Sequence, residues 1–208
     1  MIPSTEERIL LAAKNVFHKR GFDGTRMQEI ADEAGINKAL VHYYFRSKNN
    51  LFQAVFEDAF STLLLRLNEI FFSEGTLQQK IEIFLNYYID FLSQNSFLPM
   101  FILNGLYNKP DQLKTFMEKK SQFSQRLLAQ IKTQLKTELD IDIDPLHLYI
   151  NILSVVVFPI VARPLIQSVF GLSQMELATF YEERKKEVLI FIINGLKGYS
   201  HEKIQANE

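Results

Sequence analysis

The sequence predicts an all-α protein with an N-terminal three-helix helix-turn-helix domain, residues 1–47, and a C-terminal helical domain, residues 48–208. Apolar residues recur at helical spacing along the chain, and no stretch shows the alternation expected of a half-buried strand. Ser-x-x-Glu patterns, which satisfy free backbone groups at a helix start, occur near both ends. The composition, 47% hydrophobic and 23% charged, is that of a globular chain.

The first two helices are delimited by capping residues and glycines. Ser4-x-x-Glu7 predicts the start of the first helix, and Gly21, which follows two cations, predicts its end. Thr25 is the predicted N-cap of the second helix, and Gly35 ends that helix where a tight or left-handed turn costs least.

The third helix is predicted from about Lys38 to Phe45. Val41 and Phe45 are four residues apart and share the face that packs on the first two helices. The opposite stripe is polar, basic and aromatic, and it consists of Lys38, Ala39, His42 and Tyr43. A helix that follows a glycine turn in this way is the second helix of a helix-turn-helix, which enters the major groove of DNA.

Six further helices are predicted in the remainder of the chain. Ser47 caps the fourth helix, and Asp144-Pro145 is a favourable start for the eighth. The predicted ranges are about 50–72, 77–94, 96–107, 110–139, 145–170 and 174–198, with a frayed polar tail from His201.

The charge distribution and the exposed stripe together predict contacts with double-stranded DNA. Eight of the 23 Lys and Arg residues and six of the 24 Asp and Glu residues lie in residues 1–50, which gives a net charge of +2 there and −3 in the rest. A solvated polar face on a three-helix subdomain is the alternative. The predicted base contacts are Lys38, Ala39, His42 and Tyr43, the predicted phosphate contacts are Thr25, Tyr44 and Lys48, and Asn37 completes the DNA-binding set.

A specific N-terminal pattern favours DNA binding over a solvated face. Its pieces are Phe17, Gly21-Phe22, Thr25, Ile30-Ala31, Ala34-Gly35-Ile36, Tyr43-Tyr44-Phe45 and Lys48-Asn49-Asn50-Leu51. In these residues the first quarter of the chain resembles the tetracycline-repressor (TetR) family. Many family members carry tyrosine at the position of His42 and histidine at the position of Tyr44. This exchange affects which operator sequence the protein would bind.

The resemblance implies an all-helical homodimer whose N-terminal domain binds a palindromic operator. It also implies that the C-terminal domain binds an inducer, and that the last two helices pair with their symmetry mates in a four-helix bundle.

Fourteen of the 18 phenylalanines lie from Phe56 onward, which is consistent with simple core filling or with an apolar pocket. The pocket interpretation predicts a hydrophobic or aromatic ligand. The predicted ligand residues are Phe91, Phe101, Asn104, Tyr107, Phe123, Phe158 and Arg163. Three environments are open to Arg163: solvent, an acidic partner or an anionic ligand. Pro159 and Pro164 each remove a helix hydrogen bond, so we expect a kink or local unwinding near them.

The sequence predicts neither an enzyme nor a cofactor or metal site. Four scattered histidines form no ligand pair, and there is no cysteine, Gly-rich phosphate loop or serine elbow. Asp140, Asp142 and Asp144 resemble the start of a calcium loop, but Pro145 and Asn151 occupy its glycine and glutamate positions. We also expect no membrane span and a cytoplasmic location, because the apolar run 146–166 is interrupted and no signal peptide is evident.

The predicted function is therefore a sequence-specific transcriptional regulator, a repressor that a hydrophobic or aromatic inducer releases from its operator. Two alternatives stay open: a helical carrier of a hydrophobic metabolite, and a DNA-binding protein without an inducer. The sequence does not distinguish a repressor from an activator.

Overall fold

The computed structural model describes residues 3–108 and 121–205, and these form ten α-helices without a strand. The all-α prediction is confirmed. The helices are α1 Thr5–Gly24, α2 Met27–Ala34, α3 Lys38–Phe45, α4 Lys48–Phe72, α5 Leu77–Gln94, α6 Phe97–Asn108, α7 Ser121–Leu139, α8 Pro145–Val161, α9 Arg163–Phe170 and α10 Gln174–Gln205.

The chain forms two compact units. The first comprises Met1–Leu65 and Gln94–Phe101, and the second comprises Arg66–Ser93 and Ile102–Glu208. The boundary between the units at Leu65 and Arg66 lies inside α4. The domain boundary predicted at residue 47 separates the DNA-binding helices from the rest of the chain, and it stays a prediction.

Helix α1 begins as predicted but ends differently. The Ser4 hydroxyl accepts from the Glu7 amide and the Glu7 carboxylate accepts from the Ser4 amide, which completes the capping box. Gly21, at φ 68° and ψ 178°, interrupts the helix. Thr25 is the C-cap of α1 rather than the N-cap of α2, so that prediction is wrong. Its hydroxyl donates to the Gly21 carbonyl, four residues earlier, at 2.6 Å.

The turn between α2 and α3 follows the predicted glycine geometry. Gly35 is left-handed at φ 63°, and its amide donates to the Asp32 carbonyl at 3.1 Å. The Arg8 guanidinium donates to the Ala34 carbonyl at 2.7 Å, so a side chain of α1 caps the end of α2. The actual N-cap of α2 is Arg26.

The core of the first unit is aromatic and aliphatic. Phe17 is fully buried, and its ring meets the Phe52 ring edge-on at 4.6 Å between centroids. The other fully buried apolar side chains of α1 to α3 are Ile9, Ala13, Ile30, Ala31 and Val41. This core holds α3 by one face only.

A buried polar network joins three elements of the second unit. Lys80, only 3% exposed, donates from Nζ to the Phe71 carbonyl at 3.1 Å and to Gln134 Oε1 at 3.2 Å. The Gln134 amide donates to the Gly75 carbonyl, and the Glu138 carboxylate accepts from the Leu77 amide at 2.8 Å. The network thus satisfies the last turn of α4 and the first of α5 with side chains from α5 and α7.

The predicted eighth helix is two helices, α8 and α9, bent by 65° at Ala162. The continuous range 145–170 was wrong, whereas the expected kink is confirmed. Pro159 has no amide to donate to Val155, and the Arg184 guanidinium donates to that carbonyl at 2.8 Å instead. The Tyr181 hydroxyl donates to the Pro159 carbonyl at 3.2 Å. Side chains of α10 therefore replace the hydrogen bonds that the break removes.

Two other features concern the C-terminal helices. Helix α10 continues to Gln205, so the end predicted near Gly198 was wrong; glycine lowers helix stability by about 1 kcal/mol but does not end a helix without a capping conformation. In the described ranges no single helix is long and apolar enough to cross a membrane, and only α8 and α9 taken together meet that test of length and composition.

Candidate nucleic-acid interface and pocket

Helix α3 has the predicted inward and outward faces. Val41 is completely buried and Phe45 is 7% exposed, whereas Tyr43 is 77% exposed. The outward residues Lys38, Ala39, His42, Tyr43 and Tyr44 are all exposed. The stripe predicted to face DNA therefore lies in solvent, and the two core residues lie beneath it.

Asn37 lies at the start of this helix and has a structural role there. Its Oδ1 accepts from the Ala39 amide at 2.9 Å, which makes it the N-cap of α3. The cap uses the side-chain oxygen and leaves the exposed amide group with its two hydrogen-bond donors. Its predicted contact with DNA stays a prediction.

Thr25 and Lys48 hold the end of α1. Thr25 is only 2% exposed, and Lys48 Nζ donates to the Phe22 carbonyl at 2.8 Å and to the Thr25 carbonyl at 3.0 Å. The same ammonium lies 4.4 Å from the centroid of the Phe22 ring. Both residues are oriented toward the protein in this geometry, and their predicted contacts with phosphate stay predictions. Lysine caps the last carbonyls of a helix in many proteins, but Lys48 is the first residue of α4, so no sequence signal indicates that it caps α1.

Two exposed arginines were not predicted as DNA contacts. Arg26 is the N-cap of α2, and Arg46 directly follows α3. Arg46 has φ 61° and ψ −41°, which is unusual for a residue with a Cβ. Its carbonyl lies 3.2 Å from His42 Nδ1, and its amide donates to the His42 carbonyl at 2.9 Å. The backbone at Arg46 therefore folds back toward His42, which belongs to the outward stripe of α3.

A small apolar cavity of about 20 Å³ lies in the second unit, which is space for roughly one water molecule. It is lined by Leu67, Phe71, Leu77, Ile81, Phe84, Leu127, Ile131, Leu148, Tyr149 and Ile152. Burial raises the pKa of Tyr149, so this side chain stays a neutral hydroxyl at physiological pH.

The predicted ligand residues do not form this cavity. Phe91 is buried and stacks on Tyr87 at 5.8 Å, Phe123 is half-buried with its ring 6.5 Å from that of Phe72, and Phe158 is 63% exposed. The side chains of Phe101, Asn104 and Tyr107 lie outside the described residues. The described members of the predicted set lie on α5, α7, α8 and α9, none of them lines the cavity, and their contact with a ligand stays a prediction.

Residues 9–55 match the family model for bacterial regulatory proteins of the tetR family. The N-terminal part of the chain is thus a TetR-family domain. It is 27% identical over 203 residues to the HTH-type transcriptional regulator RutR of Escherichia coli K12, covering 94% of this chain and 92% of RutR.

Two solved structures share the fold of this TetR-family chain. A TetR/AcrR-family regulator from Thermobifida fusca has a TM-score of 0.63 at 20% identity, covering 88% of this chain and 96% of that one. FadR of Bacillus subtilis, in complex with stearoyl-CoA, has a TM-score of 0.62 at 16% identity with the same coverages. The matched family model describes bacterial regulatory proteins, and RutR is an HTH-type transcriptional regulator.

Arg163 is partly exposed to solvent and binds two neutral side-chain amides. Its Nη2 donates to Gln174 Oε1 at 2.6 Å and its Nε to Gln167 Oε1 at 3.4 Å. It is half-buried and links α9 to the start of α10 through neutral amides. Arg163 therefore has a structural role in this geometry, and its predicted contact with a ligand stays a prediction.

The acidic segment before α8 of the TetR-family protein is explained by helix capping and local pairing. Asp144 Oδ1 accepts from the Leu146 amide at 2.9 Å, and Asp140 pairs with Lys136. Across residues 3–108 and 121–205, no group of three or more His, Cys, Asp or Glu residues is arranged to hold a metal ion.

Proposed function

We propose that this TetR-family protein is a repressor that binds a palindromic operator as a homodimer and is released by a hydrophobic or aromatic small molecule. The observation that carries the DNA-binding part is the geometry of α3. Its outward stripe is exposed while Val41 and Phe45 fix the helix from below. A helix held by one face in this way can enter a major groove about 12 Å wide without loss of its own core contacts.

The proposed roles on α3 follow from the chemistry of its side chains. Lys38, Ala39, His42 and Tyr43 face the bases, and Asn37 and Tyr44 lie at the edges of that surface, where the phosphates would run. Thr25 and Lys48 act mainly by fixing the junction of α1 and α2, since their polar groups already bind carbonyls there.

Exposed apolar side chains on the last helices support the homodimer. Phe158 on α8 is 63% exposed and Phe191 on α10 is 67% exposed, which is unfavourable for a lone chain in water. Leu146, Ile150 and Ile190 on the same two helices are also exposed. Pairing of α8 and α10 with their symmetry mates would cover these residues, and adjacent half-sites on DNA require the two α3 helices of a dimer to lie roughly 34–36 Å apart.

The inducer is proposed to enlarge the apolar cavity of the second unit. Leu67 and Phe71 of α4 line this cavity, and α4 follows α3 after two residues. A ligand that fits only when α4 moves would favour a second state and weaken DNA binding by its differential affinity. FadR, which shares the fold, is bound to stearoyl-CoA. A hydrophobic ligand is therefore the class we propose.

A mobility-shift assay on the DNA beside the protein's own gene tests the proposal. We expect the dimer to shift this DNA at low salt, and the double variant Lys38→Ala, Tyr43→Ala to bind at least about 30-fold more weakly if two contacts of about 1 kcal/mol each are lost. An Asn49→Ala variant, changed at an exposed position of α4, is the matched control. Failure of the wild-type dimer to shift any such DNA would sink the proposal.

The small size of the cavity favours one alternative, a DNA-binding regulator without an inducer. Drug-sized ligands occupy pockets of roughly 300–1,000 Å³, whereas this cavity has about 20 Å³. Native mass spectrometry of the purified dimer separates the two. A retained hydrophobic molecule that weakens the DNA shift supports the inducer, and unchanged DNA binding across a panel of fatty acids and aromatic compounds supports the alternative.

A further inference from the structure

The hydrogen bond between His42 and Arg46 determines which polar group His42 presents. The Arg46 carbonyl lies 3.2 Å from His42 Nδ1. A backbone carbonyl can only accept, so Nδ1 carries the proton. In a neutral imidazole the other ring nitrogen is then an acceptor. His42 is exposed, and in its neutral form with the proton on Nδ1 the ring presents Nε2 as an acceptor on the outward stripe of α3.

We propose that His42 reads the exocyclic amino group of an adenine or a cytosine in the major groove. This inference rests on the proposed function, because it assumes that α3 enters the groove. Adenine N6 and cytosine N4 are donors there, whereas guanine offers O6 and N7 and thymine offers O4, all acceptors. An Nε2 lone pair is attracted to the first two bases and repelled by the others. His42 therefore favours A or C over G or T on the strand it faces.

Arg46 is the positioning residue for this contact. Its φ of 61° turns the carbonyl back toward the ring, and its own amide holds the turn through the His42 carbonyl at 2.9 Å. A residue with a Cβ is strained in this conformation, and strain of this kind persists where surrounding contacts hold it. The strained turn thus fixes the tautomer of the side chain one helical turn earlier.

Lys38 provides a contrast on the same stripe. Its ammonium has three donors and no acceptor, so it suits guanine or a phosphate. The exposed stripe of α3 would then present one obligatory donor and one acceptor, and the two would specify different bases within each half-site.

Selection from randomised DNA, followed by binding measurements on single-base variants, tests the role of His42. We expect one position in each half-site to prefer A or C about tenfold, as for one contact of about 1.4 kcal/mol. His42→Phe should lose that preference only, and His42→Arg should change it to G. A wild-type preference for G or T at the position that His42→Arg alters would overturn the proposal, as would an unchanged preference in His42→Phe.

Once the preferred base is known, base analogues provide a more specific test of the contact between His42 and the amino group. Replacing the adenine by purine, or the cytosine by 2-pyrimidinone, deletes the amino group. We expect this to weaken wild-type binding about tenfold and to leave His42→Phe binding unchanged. Equal losses in the two proteins would show that the amino group contacts something else, and the inference would fail while DNA binding stood.

Two variants test the role of Arg46, and both remove the same cation. Arg46→Gly adopts the positive φ readily, whereas Arg46→Pro fixes φ near −65° and removes the amide. We expect the A-or-C preference to survive in Arg46→Gly and to disappear in Arg46→Pro. Equal selectivity in the two would refute the positioning role.

Nitrogen-15 NMR of the free protein reports the tautomer independently of DNA. We expect the neutral imidazole of His42 to carry its proton on Nδ1 and to leave Nε2 unprotonated, and this signature should weaken in Arg46→Pro. The opposite tautomer overturns the inference even if the protein binds DNA. Loss of all DNA binding with the expected tautomer would instead refute the proposed function, and the base-reading role with it.

Discussion

The DNA-binding helices and the second unit differ in how their polar groups are used. On α3 the polar and aromatic side chains His42, Tyr43 and Tyr44 stand in solvent on a helix whose core contacts lie entirely underneath. In the second unit, Lys80 and Gln134 are buried and bind the ends of helices. The polar residues of α3 are thus available for recognition, whereas Lys80 and Gln134 hold helix ends inside the protein, as Thr25 does in the first unit. Substitutions should separate the two uses.

The largest expected loss of stability is in the core under the recognition helix. Phe17→Ala removes a fully buried ring packed against Phe52, so we expect the free energy of unfolding to fall by about 3–5 kcal/mol. Urea denaturation followed by circular dichroism measures this. Leu11→Ala, at a side chain that is 62% exposed on the same helix, is the control and should change little. Comparable losses in both variants would contradict the core assignment.

Breaking the buried network should cost somewhat less. Lys80→Ala leaves the Phe71 carbonyl and the Gln134 side-chain oxygen without the ammonium donor, for a loss of about 2–4 kcal/mol. Lys132→Ala, at an exposed lysine of α7, is the matched control and should stay within about 0.5 kcal/mol. Urea denaturation followed by circular dichroism measures the loss of stability in both variants. If Lys80→Ala matched the control, the network would not contribute to stability.

A gain is expected at the end of α3. Arg46→Gly relieves a positive φ and should raise the free energy of unfolding by about 1 kcal/mol, reduced somewhat by the greater freedom of glycine in the unfolded chain. Arg46→Ala removes the same cation but keeps the strain. A thermal scan that shows equal midpoints for these two variants would argue against strain at this residue.

The smallest effect on stability is expected where the effect on DNA binding is largest. The double variant Lys38→Ala, Tyr43→Ala alters only exposed side chains, so its free energy of unfolding should change by less than about 0.5 kcal/mol. DNA affinity and the free energy of unfolding are measured on the same protein sample, which shows whether the exposed residues of α3 affect binding without affecting stability. A large loss of stability in this variant would mean that weakened DNA binding reflects misfolding.

The sequence predicted α3 and its faces because that inference is local. Val41 and Phe45 are four residues apart, and helical periodicity alone places the polar residues opposite them. Helical periodicity does not predict that Thr25 is the C-cap of α1. Its hydroxyl binds the Gly21 carbonyl and its backbone ends α1, and both depend on the break at Gly21 lying inside a helix that continues to Gly24. Likewise, the role of Lys48 depends on where α1 ends relative to the start of α4.

The ligand residues were chosen by composition, and composition does not show which face of a helix is buried. Phe158 is as apolar as Phe84, yet Phe158 is 63% exposed and Phe84 lines the cavity. What separates them is how α5 and α8 are rotated in the packed unit, which depends on contacts between residues far apart in sequence. The amides that bind Arg163 were missed for the same reason, since the contact with Gln174 depends on how α9 packs against the start of α10.

The break near Pro159 also has an evolutionary consequence. The Val155 carbonyl accepts from Arg184 because residue 159 has no amide to offer. Loss of Arg184 is therefore harmful while proline occupies position 159 and nearly neutral once another residue restores the helix hydrogen bond. The two positions form an epistatic pair 25 residues apart. Substitutions at one of them should be tolerated in relatives according to what stands at the other.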